Sequence, residues 1–140
     1  MRQNRSRRTF QREPVYNYRI EKFRYAELRA FCRQYADKKA EADLLLTPRA
    51  QELTGMPSGS GVGDPVASAV ERREHLLKDC ELIEECAMDV QEGLYYHAII
   101  HNACMGKPYD CIIDMLPVTN RNAFFAARRE FFRLLDKKKR

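Results

Sequence analysis

Residues 116–135 read LPVTNRNAFFAARREFFRLL, two Phe pairs and four arginines around a single acid. The stretch either glues itself into a core through its aromatics or carries its arginines outward, and its periodicity decides between the two. At about 100° per residue with Asn120 at zero, Ala123, Phe124, Ala127, Phe131, Leu134 and Leu135 fall in an arc from roughly 300° to 60°. An arc of that width docks on two neighbouring short elements, and Phe124 and Phe131 each contribute about 2 to 3 kcal/mol of apolar burial there. The spacing predicts a closing helix over Asn120 to Lys137, with Thr119 or Asn120 as its cap.

Asn122, Ala126, Arg129 and Arg133 fall on the opposite side, at about 180° to 240°. One helix thus offers an apolar anchor and, behind it, a polar, small-residue and basic stripe. In a helix-turn-helix such a stripe enters the major groove, with its first residues near base edges. Arg grips guanine and Asn grips adenine through paired hydrogen bonds, which makes Asn122 and Arg129 candidate base readers. Arg133, Lys137, Lys138 and the rest of the tail are placed for phosphates. Phe125 and Phe132, flanked by Arg121 and Arg128, lie between the two faces and are expected to pack on the helical hairpin or a partner subunit.

The 140 residues support one modest core, or a small head on an extended stalk. Hydrophobic residues are 44% and charged residues 32%, which argues against disorder throughout. No apolar run approaches bilayer length, and the Arg-rich start lacks the apolar stretch and cleavage site of a signal peptide. A soluble, cytoplasmic protein is expected, without membrane association. The five cysteines, Cys32, Cys80, Cys86, Cys104 and Cys111, form no CxxC and cannot all pair within one chain, so reduced, mostly buried thiols are expected.

The net charge of +5 conceals a division along the chain. Residues 1–33 carry ten Lys or Arg against three acids, residues 34–116 seven against fifteen, and residues 117–140 eight against two. Two basic ends around an acidic middle point to a polyanionic partner, although a short tail such as KKKR also serves solubility alone.

The start, MRQNRSRRTFQRE, has no apolar period, and residues 1–17 read as a basic, flexible arm. From Tyr18 to Leu46 there is no Pro or Gly, and Ile20, Phe23, Leu28, Phe31, Tyr35, Ala42 and Leu45 recur at helical intervals. Residues 47–64 hold four of the six glycines and read as a connector; GSGVGD lacks the GK[ST] ending of a phosphate loop. Asp64 and Pro65 then open a second long helix to about Gln91. Val66, Arg73, Cys80 and Ala87 stand seven apart along it, shadowed by Ala69, Leu76, Ile83 and Val90, a heptad-like seam for α-helical packing within the chain or with another subunit. Gly93 breaks this helix, LYYHAIIHNACMG forms a shorter one ended by Gly106, and PYDCIIDML makes a third before Pro117. The expected fold is all-α: a long antiparallel helical hairpin over 18–92, then a three-helix, helix-turn-helix head over 93–140. The turn before the closing helix departs from the usual pattern, with no glycine and with Pro117 at its start.

This layout, with GMPSGSGVGDP as the linker and FFAARREFFRLL as the ending, resembles the ArpU/RinA-like group of phage and prophage transcription regulators. The resemblance implies a helix-turn-helix like the fourth region of sigma factors, sequence-specific promoter binding in a bacterial host, and a place near the nucleoid. By position it implies that Thr119, Asn120, Arg121 and Asn122 open the recognition helix and that Arg128, Arg129 and Arg133 continue it. Double-stranded DNA would be the partner, RNA polymerase and a homodimer formed through the hairpin possible further ones. A small terminase-like packaging oligomer and a helical interaction adaptor that binds no DNA are the alternatives.

Other chemistry is weaker. His97, His101 and Cys104 share a helical face with zinc-like spacing, but such residues on a short amphipathic helix more often pack than ligate. Glu81, Glu84, Glu85, Asp89 and Glu92 read as a solvated face that can pair with the basic first helix, not as a nuclease centre. Neither a nucleophile triad nor a phosphate loop stands out, so no enzyme, metal or cofactor is expected.

Overall fold

The structure is a computed structural model that describes residues 19–46 and 65–139. The basic arm expected over 1–17 and the connector expected over 47–64 lie outside the described residues. Among the described residues every regular element is helical and there are no strands. The protein is all-α.

Helix α1, Lys22–Arg33, is started by Glu21, whose Oε1 accepts from the backbone N–H groups of Phe23 and Arg24 at 3.2 and 3.3 Å. The single helix expected from Tyr18 to Leu46 instead divides at Gln34. Its N–H bonds to Phe31 O at 3.2 Å, a tight turn of the three-residue type, before α2 runs over Tyr35–Leu44. The break has a packing reason: α1 lies against the last helix and residues 100–104, while α2 lies along α3, Pro65–Asp89. One straight rod could not follow both surfaces.

Contacts between α2 and α3 run in opposite order along the two helices. Arg73 Nε donates to Ala42 O at 3.3 Å, Lys38 Nζ meets Asp79 at 2.7 Å, and the Tyr35 hydroxyl donates to Glu84. The pair is therefore antiparallel. Leu76, Cys80, Ile83, Ala87 and Val90 of the seam are buried, whereas Val66 and Val70 near the start of α3 are exposed. Of the acidic face expected on α3, Glu84 pairs with α2 through Lys39 at 3.1 Å, whereas Glu85 and Asp89 meet Lys138 near the end of the chain; a pair of opposite sense joins Arg72 of α3 to Glu41 of α2.

After α3 the chain makes a 3-10 turn, Val90–Gly93, in which Gln91 (φ 46°), Glu92 (φ 58°) and Gly93 (φ 83°) are all left-handed. Helix α4, Tyr96–Ile99, continues directly into a π turn, Ile100–Cys104, closed by Met105 N–H to Ile100 O at 3.2 Å. The wider turn lets Ile99, Ile100, Ala103 and Cys104 all face the core. Gly106 (φ 75°) ends the run; a Cβ there would lie 2.7 Å from the Arg33 guanidinium.

The helix expected over PYDCIIDML is not one. The segment forms two single 3-10 turns, Tyr109–Cys111 and Ile113–Met115, and only Ile112 is buried. Leu116 is extended (φ −89°, ψ 139°) because the ring of the following Pro117 disfavours helical geometry in the residue before it. Helix α5, Arg121–Lys138, follows and closes the fold.

The core joins α1, α3, α4 and α5 through Leu28, Cys32, Ile83, Ile99, Phe124 and Phe131. Phe131→Ala should cost about 3 to 5 kcal/mol because it empties a closed site; Phe125→Ala, at a half-buried position, should cost less, as urea denaturation would show.

Four thiols are buried and Cys111 is exposed. Burial pushes the Cys86 thiol up from 9.0 to about 11, and the Cys80 thiol also upward; Cys104 is raised by its hydrogen bond with Cys32 and then by burial. A thiol reagent at neutral pH should therefore label one cysteine rapidly and four more only on unfolding. The same burial fixes an alkaline limit. Above pH 9 the unfolded state loses the Cys86 proton while the folded state keeps it, so stability present below pH 9 declines as pH rises towards 11. Urea titrations at several pH values should show this slope, and Cys86→Ala should make it shallower, the raised Cys80 and Cys104 thiols contributing the remainder.

Candidate nucleic-acid interface

Helix α5 begins where Asn120 turns extended (φ −138°, ψ 107°) and its Oδ1 accepts from Ala123 N–H at 3.1 Å. This is an N-cap, so Asn120 serves the helix before it can serve any ligand. Lys137 and Lys138 occupy the last turn, where positive charge complements the helix dipole. Phe124, Ala127, Phe131 and Leu135 are buried as the periodicity requires.

The buried face is wider than the apolar arc. Phe132 is also buried, its ring edge-on to Tyr25 of α1 at 5.1 Å, and Asp136 is buried beside Arg24 at 2.7 Å. Phe125 is half-buried, stacked on Tyr109 at 6.0 Å with the Arg121 guanidinium 5.2 Å from its ring. Both members of the second Phe pair thus find partners within the chain.

The nine candidate contact residues divide by exposure. Thr119, Asn120, Arg121, Asn122, Arg129, Lys137 and Lys138 are exposed. The side chains of Arg129 and Asn122 have no hydrogen bond or ion pair to a described residue, and they stand on one side of α5 with exposed Ala126 between them in sequence. Arg128 turns inward instead: its guanidinium lies 5.0 Å from the Phe132 ring and Nη1 donates to the Tyr25 hydroxyl at 3.1 Å. Arg133 is half-buried and grips Glu130 of the preceding turn, with Nε to Oε1 at 2.9 Å. Lys138 reaches back to α3, 3.1 Å from Asp89 and 3.6 Å from Glu85, and its ammonium pKa is raised by the hydrogen bond to Asp89. Of the nine, Arg128, Lys138 and Arg121, whose guanidinium lies 5.0 Å from the Tyr109 ring, have partners that no spacing along α5 could reveal.

Sequence reasoning also missed a cavity of about 590 Å³ between α5, the start of α1 and the left-handed turn. Ile20, Tyr25, Gln91, Ala126, Arg129 and Phe132 are among its walls. Tyr25 was one residue of an amphipathic pattern, and Gln91 a polar residue before a glycine; nothing in either suggested that they meet.

His97 is exposed, His101 half-buried and Cys104 buried, and among the described residues no three His, Cys, Asp or Glu side chains converge enough to hold a metal ion. Burial first, then Lys107 and His97, lowers the His101 pKa. No helix among the described residues is long and apolar enough to cross a membrane. No family model matches the chain, and neither does any curated protein or solved structure.

Lys138→Ala should lower stability by about 0.2 to 1 kcal/mol, the range of exposed ion pairs. The loss should shrink in ~0.5 M salt, because salt already screens the pair; thermal melts at two salt concentrations would check it.

Proposed function

We propose that the protein is a sequence-specific, double-stranded DNA-binding regulator of phage or prophage transcription, with α5 as the reading helix. The observation that carries this reading is the two-sidedness of α5: Phe124, Phe131, Phe132 and Leu135 anchor it, while Asn122, Ala126 and Arg129 stay exposed on one stripe. A buried apolar side fixes the axis of the helix. The exposed side then meets DNA without rearrangement, which is what base reading in the major groove demands.

The helix ahead of α5 in a full helix-turn-helix is here reduced to two 3-10 turns, so the proposed motif is an abbreviated one with α1 bracing α5. Arg121 and Lys137, at the two ends of α5, lie where they would straddle the groove and meet phosphates. The basic arm, residues 1–17, adds charge able to reach an adjacent groove.

Selection from a random duplex pool should enrich a defined site. Arg129→Ala should reduce preference for that site over random DNA by about 1 to 3 kcal/mol. Affinity should fall with salt on a log–log plot, with a slope of about 0.9 per phosphate contacted. A flat salt response would remove DNA as the partner, and unchanged selectivity in Arg129→Ala would remove α5 as the reading helix.

A further inference from the structure

We propose that the cavity beneath α5 is a binding site for a small amphipathic anion: a molecule with an apolar body and one carboxylate or phosphate head. Its volume, about 590 Å³, lies in the range of sites that enclose small organic ligands. Ile20, Tyr25, Val90, Ala126, Ala127 and Phe132 supply apolar wall. Arg128, Arg129 and Arg133 line it too, against the single acid Glu130, which Arg133 already engages. The charge inside is therefore positive and the surface largely apolar.

Two independent features point to an occupant. Arg128 Nε is buried and makes no hydrogen bond, although the Nη1 of the same group donates to Tyr25. A buried cationic donor without an acceptor is costly, and since Nε is closed to a water-sized probe, an oxyanion in the cavity would engage it through a shift of the Arg128 side chain. A guanidinium presents its donors as a planar fork that suits carboxylate or phosphate oxygens. Separately, Gln91 holds a left-handed backbone at the wall, followed by another left-handed non-glycine residue, Glu92. Such conformations cost of order 1 to 3 kcal/mol each and concentrate at ligand sites. Here the strained turn brings Gln91 to the same cavity as the arginines.

A cation is disfavoured by the three arginines that line the cavity. The apolar walls disfavour free phosphate, which has no body to bury. Arg129 and Arg133 also belong to the proposed DNA-facing stripe, so an occupied cavity would weaken DNA binding. That consequence rests on the proposed function; ligand binding itself does not.

Isothermal titration calorimetry on the full chain tests the site, using decanoate, decyl phosphate and decyltrimethylammonium below their micelle concentrations. At least one of the two anions should bind saturably at one per chain, and the better of them shows which head group is preferred. The cation should bind at least about tenfold more weakly, Arg128→Met should weaken the anion about tenfold, and Ala126→Phe, which fills the cavity from an exposed position, should abolish binding. Arg129→Met, at an exposed position, gives a second loss of charge should Arg128→Met fail to fold. Equal affinity for anion and cation, no saturable binding of either anion, or undiminished binding by folded Ala126→Phe would overturn the proposal. Because no DNA is present, the result is separate from the fate of the DNA reading.

Discussion

A carboxylate buried near the end of α5 governs how the molecule is put together. Asp136 is almost fully enclosed, and a charge so placed is tolerated only with a close partner. Arg24 provides it, with Nε to Oδ1 at 2.7 Å and Nη2 to the Asp136 backbone carbonyl at 3.4 Å. The pair adds little net stability over an apolar alternative, but it permits one arrangement of α1 on α5 and penalises others. With that register set, Tyr25 meets Phe132, and Arg128 is drawn away from solvent to the Tyr25 hydroxyl. The cavity lies beside them, with Tyr25, Arg128 and Phe132 among its walls.

Charge does a second job along α2 and α3. Lys38 and Lys39 meet Asp79 and Glu84, and Lys138 extends the pattern from α5 to Glu85 and Asp89. Each exposed pair is weak. Together they engage Asp79, Glu84, Glu85 and Asp89 with lysines of α2 and α5, while Arg121, Asn122 and Arg129 of α5 stay exposed.

Periodicity made α5 legible because an amphipathic helix writes its burial into every third or fourth residue. Phe124, Phe131 and Leu135 inside, and Asn122 and Arg129 outside, followed from spacing alone. Phe132 and Asp136 did not, since their burial depends on α1 arriving from the side, a tertiary event with no trace in the period of α5. The split at Gln34 was equally hidden, because no glycine or proline marks it and the cause is a divergence of the two surfaces that α1 and α2 must cover. PYDCIIDML carried a helix-like apolar content, but Pro117 draws Leu116 into an extended conformation and only Ile112 finds a core to enter. Of the interface, the outward residues were readable; the inward turns of Arg128 and Lys138 required knowing that Tyr25 and Asp89 lie within reach.

The docking of α1 on α5 also has a consequence for the chain as it is made. Synthesis runs from the N-terminus, so α1 emerges with Tyr25 and Leu28 already patterned for a surface that does not yet exist. At about 5 to 20 residues per second, roughly 5 to 20 seconds pass before Phe132 and Asp136 are added. During that interval α2 and α3 can pair as soon as both have left the ribosome, while the apolar side of α1 waits. Helix α1, the first of the described helices, is thus among the last of them to find its place.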